Sequence, residues 1–377
     1  MELVAEIVTQ VSEAADERAA RHAYRRAIQR LRPKLQLYPY RRAIQRLRPK
    51  LQLYPVGSQP SEVFEQAAVT VRSLGATCLP LAIAVAMHLY PFCVLQCVPI
   101  PLLSAARLKR ALLMRTIRNR SLILANTGSE RTDGTTTPLI ATLAADGIRI
   151  DGRCEYLSLS SVADVVLFKA QLADSSHAVL CAADLRASTV RIGRWKFSGA
   201  MELSDTSPVT FVGHRVPRGH YLVVPDDAAL SCISDYQRAW FHLFIAEIYH
   251  ARVEHLRGAS GDEVSQLRQQ SLRLLDDFSA GADVGPLLRT TAALKLRVSM
   301  LAQATAVALR SQGLAAEAGG LGYIRSQPTA DAKILRTFGA ASLGVSFRPS
   351  PAASLLPRRH QASALPPDPV PTHASCA

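Results

Sequence analysis

Few residues in this 377-residue chain combine type and spacing in a way that could do chemistry. Gly319, Gly320 and Gly322 form a GG-x-G string. A backbone without side chains can approach a phosphate closely, and the same string also ends helices. Asp235 and Arg238 stand three apart in SDYQR, the spacing at which a helix brings opposite charges together. Tyr156 and Ser158, two apart in YLSLS, share a face if that segment is a strand, and an alternating strand with one face buried accounts for them. Glu247 and Glu254 are lone carboxylates further on, and a helix ordinarily turns such groups to solvent. The seven cysteines include no CxxC pair, and Cys93 and Cys97 lack a second ligand pair. No metal site follows from them, and reduced thiols of a cytoplasmic protein are expected.

Stepping outward to the elements, residues up to about 122 read as helices, over 1–32, 60–74, 79–90 and 103–118. From 122 to 224 the pattern alternates in short β-branched strings: SLILA, GIRIDG, YLSLS, ADVVLFKA, HAVLCAADL, TVRIGRW, VTFVGHRVP and YLVVP. Asp146-Gly147 and Asp151-Gly152 predict hairpin turns. Helical periodicity returns over 234–256, 263–278 and 287–311. The organisation expected is a helical domain over 1–122, a β domain over 123–226, a helical bundle over 227–344 and a disordered proline-rich tail over 345–377.

With 48% apolar residues the chain can bury a large core, and its charge of +14 suits an anionic partner: nucleic acid, phospholipid, or a phosphate-bearing small molecule or carrier. Much of that charge lies in the segment 107–120 and in YRRAIQRLRPKLQLYP, which runs over 24–39 and again, unchanged, over 40–55. A sixteen-residue step turns a helix by about 160°, so the copies cannot share one helical face, and their prolines stop each helix early. Two units do not make a repeat architecture. The doubling reads as a duplication within a helical domain. Aromatics at 6%, with no motif interleaving them among the basic residues, argue against nucleic acid. Residues 73–106 carry no charge, but Pro80, Pro91, Pro99 and Pro101 divide them and His88 and Gln96 lie inside, so a buried helix pair is expected rather than a membrane span. MELVAEIVTQ lacks the pattern of a signal peptide.

Within this order several strings resemble the acyl-CoA dehydrogenase family of flavoproteins: LAADGIRIDGRCEYLSLSSVADVV, VTFVGHRVP, SDYQR where the family has D-x-x-R, and EAGGLGYIRSQPTADAKILR. Together they span roughly 73–344. The resemblance implies an α+β fold with an N-terminal all-α domain, a middle antiparallel β-barrel and a C-terminal helical bundle. It also implies an FAD held between barrel and bundle. LILANTGSE would then face the flavin pyrimidine ring with Leu124, Asn126, Thr127 and Ser129. Tyr156 stands where the family has an aromatic beside the isoalloxazine, and Ser158 where a hydroxyl reaches the hydride-accepting nitrogen. Gly319 and Gly320 would approach phosphate or ribityl groups, while Asp235 and Arg238 would seat a thioester. The implied activity is oxidation of an acyl-CoA or acyl-carrier-protein thioester. Electrons would pass to an acceptor flavoprotein or to oxygen, within a homodimer or homotetramer.

The sequence departs from the family at the proton acceptor. Removing an α-proton needs a carboxylate, yet Gly339 occupies one family position of that base and Gln237 the other. An amide does not accept a proton near neutral pH. HLRGASGDE replaces the family's R-x-x-F-G string, which reaches a neighbouring subunit's FAD. Two alternatives therefore accompany the dehydrogenase expectation: a flavin-dependent monooxygenase of the same fold, and a degenerate paralogue acting as a binding subunit.

Overall fold

The computed structural model describes residues 53–77, 79–99, 104–127, 139–160, 162–175, 177–193, 206–224, 227–257, 262–312 and 321, all within the compact unit Met1–Phe338. Ser129, Gly319, Gly320, Gly339, the proline-rich tail and all but the end of the doubled stretch lie outside them.

Three helices come first: α1 (Pro60–Thr77), α2 (Leu79–Cys97) and α3 (Ser104–Arg120). Glu62 caps the start of α1 by accepting from the amide and hydroxyl of Ser58, both at 2.9 Å. Val63, Phe64, Ala67, Ala68 and Val71 recur at helical spacing and are all buried. The sequence reading stopped the next helix at Tyr90, but α2 continues through Pro91 to Cys97. An internal proline costs about 3 kcal/mol. Burial of Phe92, Cys93 and Val94 in the last turns offsets that loss.

The strands are β1 (Leu124–Asn126), β2 (Ile140–Ala144), β3 (Gly147–Leu157), β4 (Val165–Leu172), β5 (Ala178–Asp184), β6 (Val190–Ile192), β7 (Ser207–Pro217) and β8 (Tyr221–Val224). They form one mainly antiparallel sheet in the order β6-β7-β3-β2-β4-β5-β8, with β1 and β2 both parallel to β4. Among the described residues no pairing joins β6 to β8, so the ladder is an open path where a closed barrel was expected. The sheet curls instead. Lying flat, β4 and β7 would be three strand spacings apart, about 14 Å, yet Phe168 of β4 and Phe211 of β7 stack with ring centroids 5.0 Å apart.

Two local readings change. Asp146-Gly147 does turn the chain between β2 and β3, but Asp151-Gly152 lies inside β3 at a bulge, where Gly152 has φ 126° and the Asp151 carboxylate accepts from Gly213 N at 2.6 Å. Residues 156–160 are not a continuous strand either. β3 ends at Leu157, and Leu159 has φ 56°, so Ser158 sits at the strand's exit.

Three helices close the described chain: α4 (Asp227–Arg257), α5 (Asp262–Ser279) and α6 (Val284–Ser311). α4 is the central rod, carrying Tyr236, Trp240, Leu243, Phe244 and Ile248 fully buried. It lies so close to α1 that a Cβ on Gly75 would be 2.6 Å from the Ile248 carbonyl. α6 is long and apolar enough to cross a bilayer, but 56% of its most apolar window is buried here, with Leu287, Leu294 and Val298 in the core.

Candidate functional site

The cleft of interest opens where α2 and α3, the outward face of β4 and β5, and the first turns of α4 converge. β4 alternates strictly: Val166, Phe168, Ala170 and Leu172 fill the curl of the sheet, while Val165, Leu167, Lys169 and Gln171 turn the other way, half-buried. Lys169 Nζ donates to Ser234 Oγ of α4 at 2.6 Å, which ties the sheet to the helix across the cleft.

α2 fixes β1 from behind. His88 is 2% exposed. Its Nδ1 accepts from Leu124 N at 3.0 Å and its Nε2 faces Leu53 O at 3.1 Å, so the ring is neutral with the proton on Nε2. Burial, partly opposed by the bond to Leu53, pulls its pKa down to about 4. Two residues on, the Tyr90 hydroxyl accepts from Asn126 Nδ2 at 2.6 Å. Desolvation raises this tyrosine to about 12, so it stays a neutral phenol.

β1 thereby presents Asn126 and Thr127 to the cleft. Thr127 bridges to Leu157 at the end of β3, which brings the Asn126–Thr127 segment beside Tyr156 and Ser158. Tyr156 is 39% exposed, and Ser158 Oγ shares a hydrogen bond with Thr206 Oγ1 at 3.1 Å. Leu124 is fully buried and acts as packing, so it offers a ligand only backbone. The hydroxyl of Thr127 is buried and meets no hydrogen-bond partner of normal geometry. It donates to the Cys154 sulfur beside it, a weak acceptor.

Gln237 of α4 lines the cleft. Its neighbours Asp235 and Arg238 do not. They pair with each other at 3.2 Å as an i, i+3 couple, 27% and 35% exposed. Glu247 and Glu254 lie about 15 Å and 25 Å further along α4 and are held by arginines: Glu247 by Arg72 at 3.1 Å and by Arg268, Glu254 by Arg72 at 2.7 Å. Among the described residues that line the cleft there is no Asp or Glu. Sequence reasoning missed Lys109, Arg110, Lys169 and His220 as lining residues. Only Lys169 carried a local signal, as a lone cation on the outward face of an alternating strand.

No family model matches the sequence, and no curated protein matches it. Solved structures do resemble the fold. KijD3 in complex with FMN and dTDP-3-amino-2,3,6-trideoxy-4-keto-3-methyl-D-glucose superposes with TM-score 0.60 at 16% identity, over 92% of this chain and 93% of that one. TdsC from Paenibacillus sp. A11-2 with FMN and indole gives 0.57 at 17% identity, covering 92% and 96%. Methanesulfinate monooxygenase MsuC from Pseudomonas fluorescens gives 0.59 at 14%, covering 92% and 96%. The chain has the acyl-CoA dehydrogenase-like fold. At these identities the likeness is one of fold.

Proposed function

We propose that this protein is a flavin-dependent monooxygenase that binds FMN against Asn126, Thr127 and the end of β3 and oxidises a small substrate in the adjoining cleft. The observation that carries this reading is a cleft wall that offers polar groups and, among its described residues, no carboxylate base. Asn126 and Thr127 supply polar groups to the cleft with Ser158 at the adjoining end of β3, and Gln237 lines it at a position where the family resemblance would put a carboxylate. The weakly partnered Thr127 hydroxyl is the strongest sign of fit, because it has only the Cys154 sulfur to donate to and a flavin carbonyl or ring nitrogen would be a better acceptor. FMN is favoured over FAD because R-x-x-F-G is replaced by HLRGASGDE, and because structures of KijD3 and TdsC hold FMN.

Flavin, reduced by a separate enzyme, would supply the activation of dioxygen; one oxygen atom goes to the substrate and the other leaves as water, two electrons coming from the reduced cofactor. The chain's own residues orient and enclose. Tyr90 holds the Asn126 amide in place, and both stay neutral, so neither drains a proton from the site. Val94, Leu95, Leu113 and Leu167 line the cleft and keep its walls apolar, which favours a substrate over bulk water. Gln237 donates or accepts a hydrogen bond to the substrate without acting as a base.

The test is spectroscopic. Full-length protein loaded with FMN should show a perturbed flavin spectrum that butyryl-CoA and palmitoyl-CoA do not bleach anaerobically. Bleaching by either thioester would favour the dehydrogenase reading.

A further inference from the structure

Lys109 and Arg110 are adjacent on α3, both half-buried, and both reach the cleft. Three other half-buried arginines meet carboxylates: Arg72 with Glu247 and Glu254, Arg268 with Glu65 and Glu247, Arg297 with Glu263. Arg110 instead donates to the Val98 carbonyl at 2.7 Å, and Lys109 Nζ lies 5.4 Å from the Tyr221 ring centroid. Neither has an ion pair among the described residues. Burial pulls the Arg110 pKa below its ordinary value; the nearby Arg107 adds to this, and Cys97 opposes it. His220, on the three-residue turn Arg218–His220 before β8, brings a third protonatable group to the rim.

Two cations held at an apolar cleft without a counter-ion are stabilised by whatever anion enters it, and they attract it from solution. We propose that the α3 side of this cleft seats the anionic end of the substrate, a sulfonate, carboxylate or phosphate on a largely apolar body. Lys109 and Arg110 contact the anion, His220 faces it from the opposite rim, and Val94, Leu113, Leu167 and Leu180 pack the body. The identification of this occupant as a substrate rests on the monooxygenase reading; the anion seat itself does not. The excess charge of the segment 107–120 then has a local use.

The experiment titrates full-length protein calorimetrically with hexanesulfonate, hexanol, FMN and riboflavin, for the parent and for Lys109→Gln and Arg110→Gln. Hexanesulfonate is expected to bind more tightly than hexanol and to weaken about five- to tenfold in each variant, as loss of one half-buried charge contact implies. Hexanol and riboflavin should change less than about twofold. Arg110→Gln also removes the bond to Val98 and could unsettle α3, so Lys109→Gln, which breaks no hydrogen bond among the described residues, decides the case. Equal affinity for hexanesulfonate and hexanol would overturn the proposal. So would a variant that weakens FMN relative to riboflavin while leaving hexanesulfonate untouched, because the cations would then belong to the cofactor phosphate. Failure of the monooxygenase reading looks different: FMN would not bind, while the hexanesulfonate response persisted.

Discussion

His88 shows how one side chain sets both stability and site geometry. It joins Leu53 to Leu124 through both ring nitrogens and so fixes where β1 begins. Its folded pKa of about 4 lies below the usual 6.5. At a pH between these values the unfolded chain binds a proton that the folded chain refuses, so stability falls as pH drops from about 6.5 to about 4 and the His88 contribution is flat below that. The full span is worth about 3 kcal/mol. His88→Gln, measured by urea unfolding across this range, should flatten that slope; an unchanged slope would assign it to other groups. Thr127→Val makes the opposite kind of test. Removing a buried hydroxyl that donates only to a weakly accepting sulfur should change the stability of the flavin-free protein by less than about 1 kcal/mol, while FMN affinity falls several-fold by fluorescence titration. A loss of stability with no change in FMN affinity would make Thr127 a structural residue only.

Among the elements, the end of the doubled stretch is informative. Leu53 is buried, and Tyr54 packs edge-on to His88 and Phe92 while its hydroxyl donates to Leu122 O at 3.1 Å. These residues belong to the second copy, but the first copy ends in the same Leu-Tyr-Pro. Deleting 40–55 therefore joins an identical tripeptide to Val56. The shortened chain should melt within about 2 °C of the parent, a shift below 1 kcal/mol for a chain of this size; a large drop would mean that the doubled segment has acquired its own packing. A further contact of α1 with α4 and α5 is the buried carboxylate of Glu247 between Arg72 and Arg268. Glu247→Gln leaves Arg72 with Glu254 and Arg268 with Glu65, and should cost about 1–2 kcal/mol by denaturant unfolding without altering FMN affinity.

The same elements show what a sequence exposes. α4, α5 and α6 were legible because long amphipathic periods tolerate errors at their ends. β2 was not, since the five residues of IATLA alternate too briefly to stand out. Pro91 and Gly152 misled because each looks like a stop in isolation, and only burial around α2 and pairing with β7 carry the chain through. At the cleft, Asn126, Thr127 and Gln237 are residues that the sequence singled out only through the resemblance of ordered motifs. Lys109, Arg110 and His220 reach the cleft from distant elements, and Tyr90 stands behind Asn126, placements that no spacing encodes.

For the whole molecule, a curled sheet packed between helices from both ends of the described chain yields one cleft with an apolar lining, neutral hydrogen-bonding groups on one wall and cations on another. No acidic residue balances them among those described in its lining. On the proposed reading, that distribution would hold a flat aromatic cofactor beside an amphiphilic anion. The most direct measurement is an anaerobic absorption titration of the purified full-length chain with FMN, followed by butyryl-CoA. One FMN should bind per chain with a shifted spectrum and remain oxidised after the thioester is added. Protein that leaves the FMN spectrum unperturbed, or bound FMN that the thioester bleaches, would contradict the account.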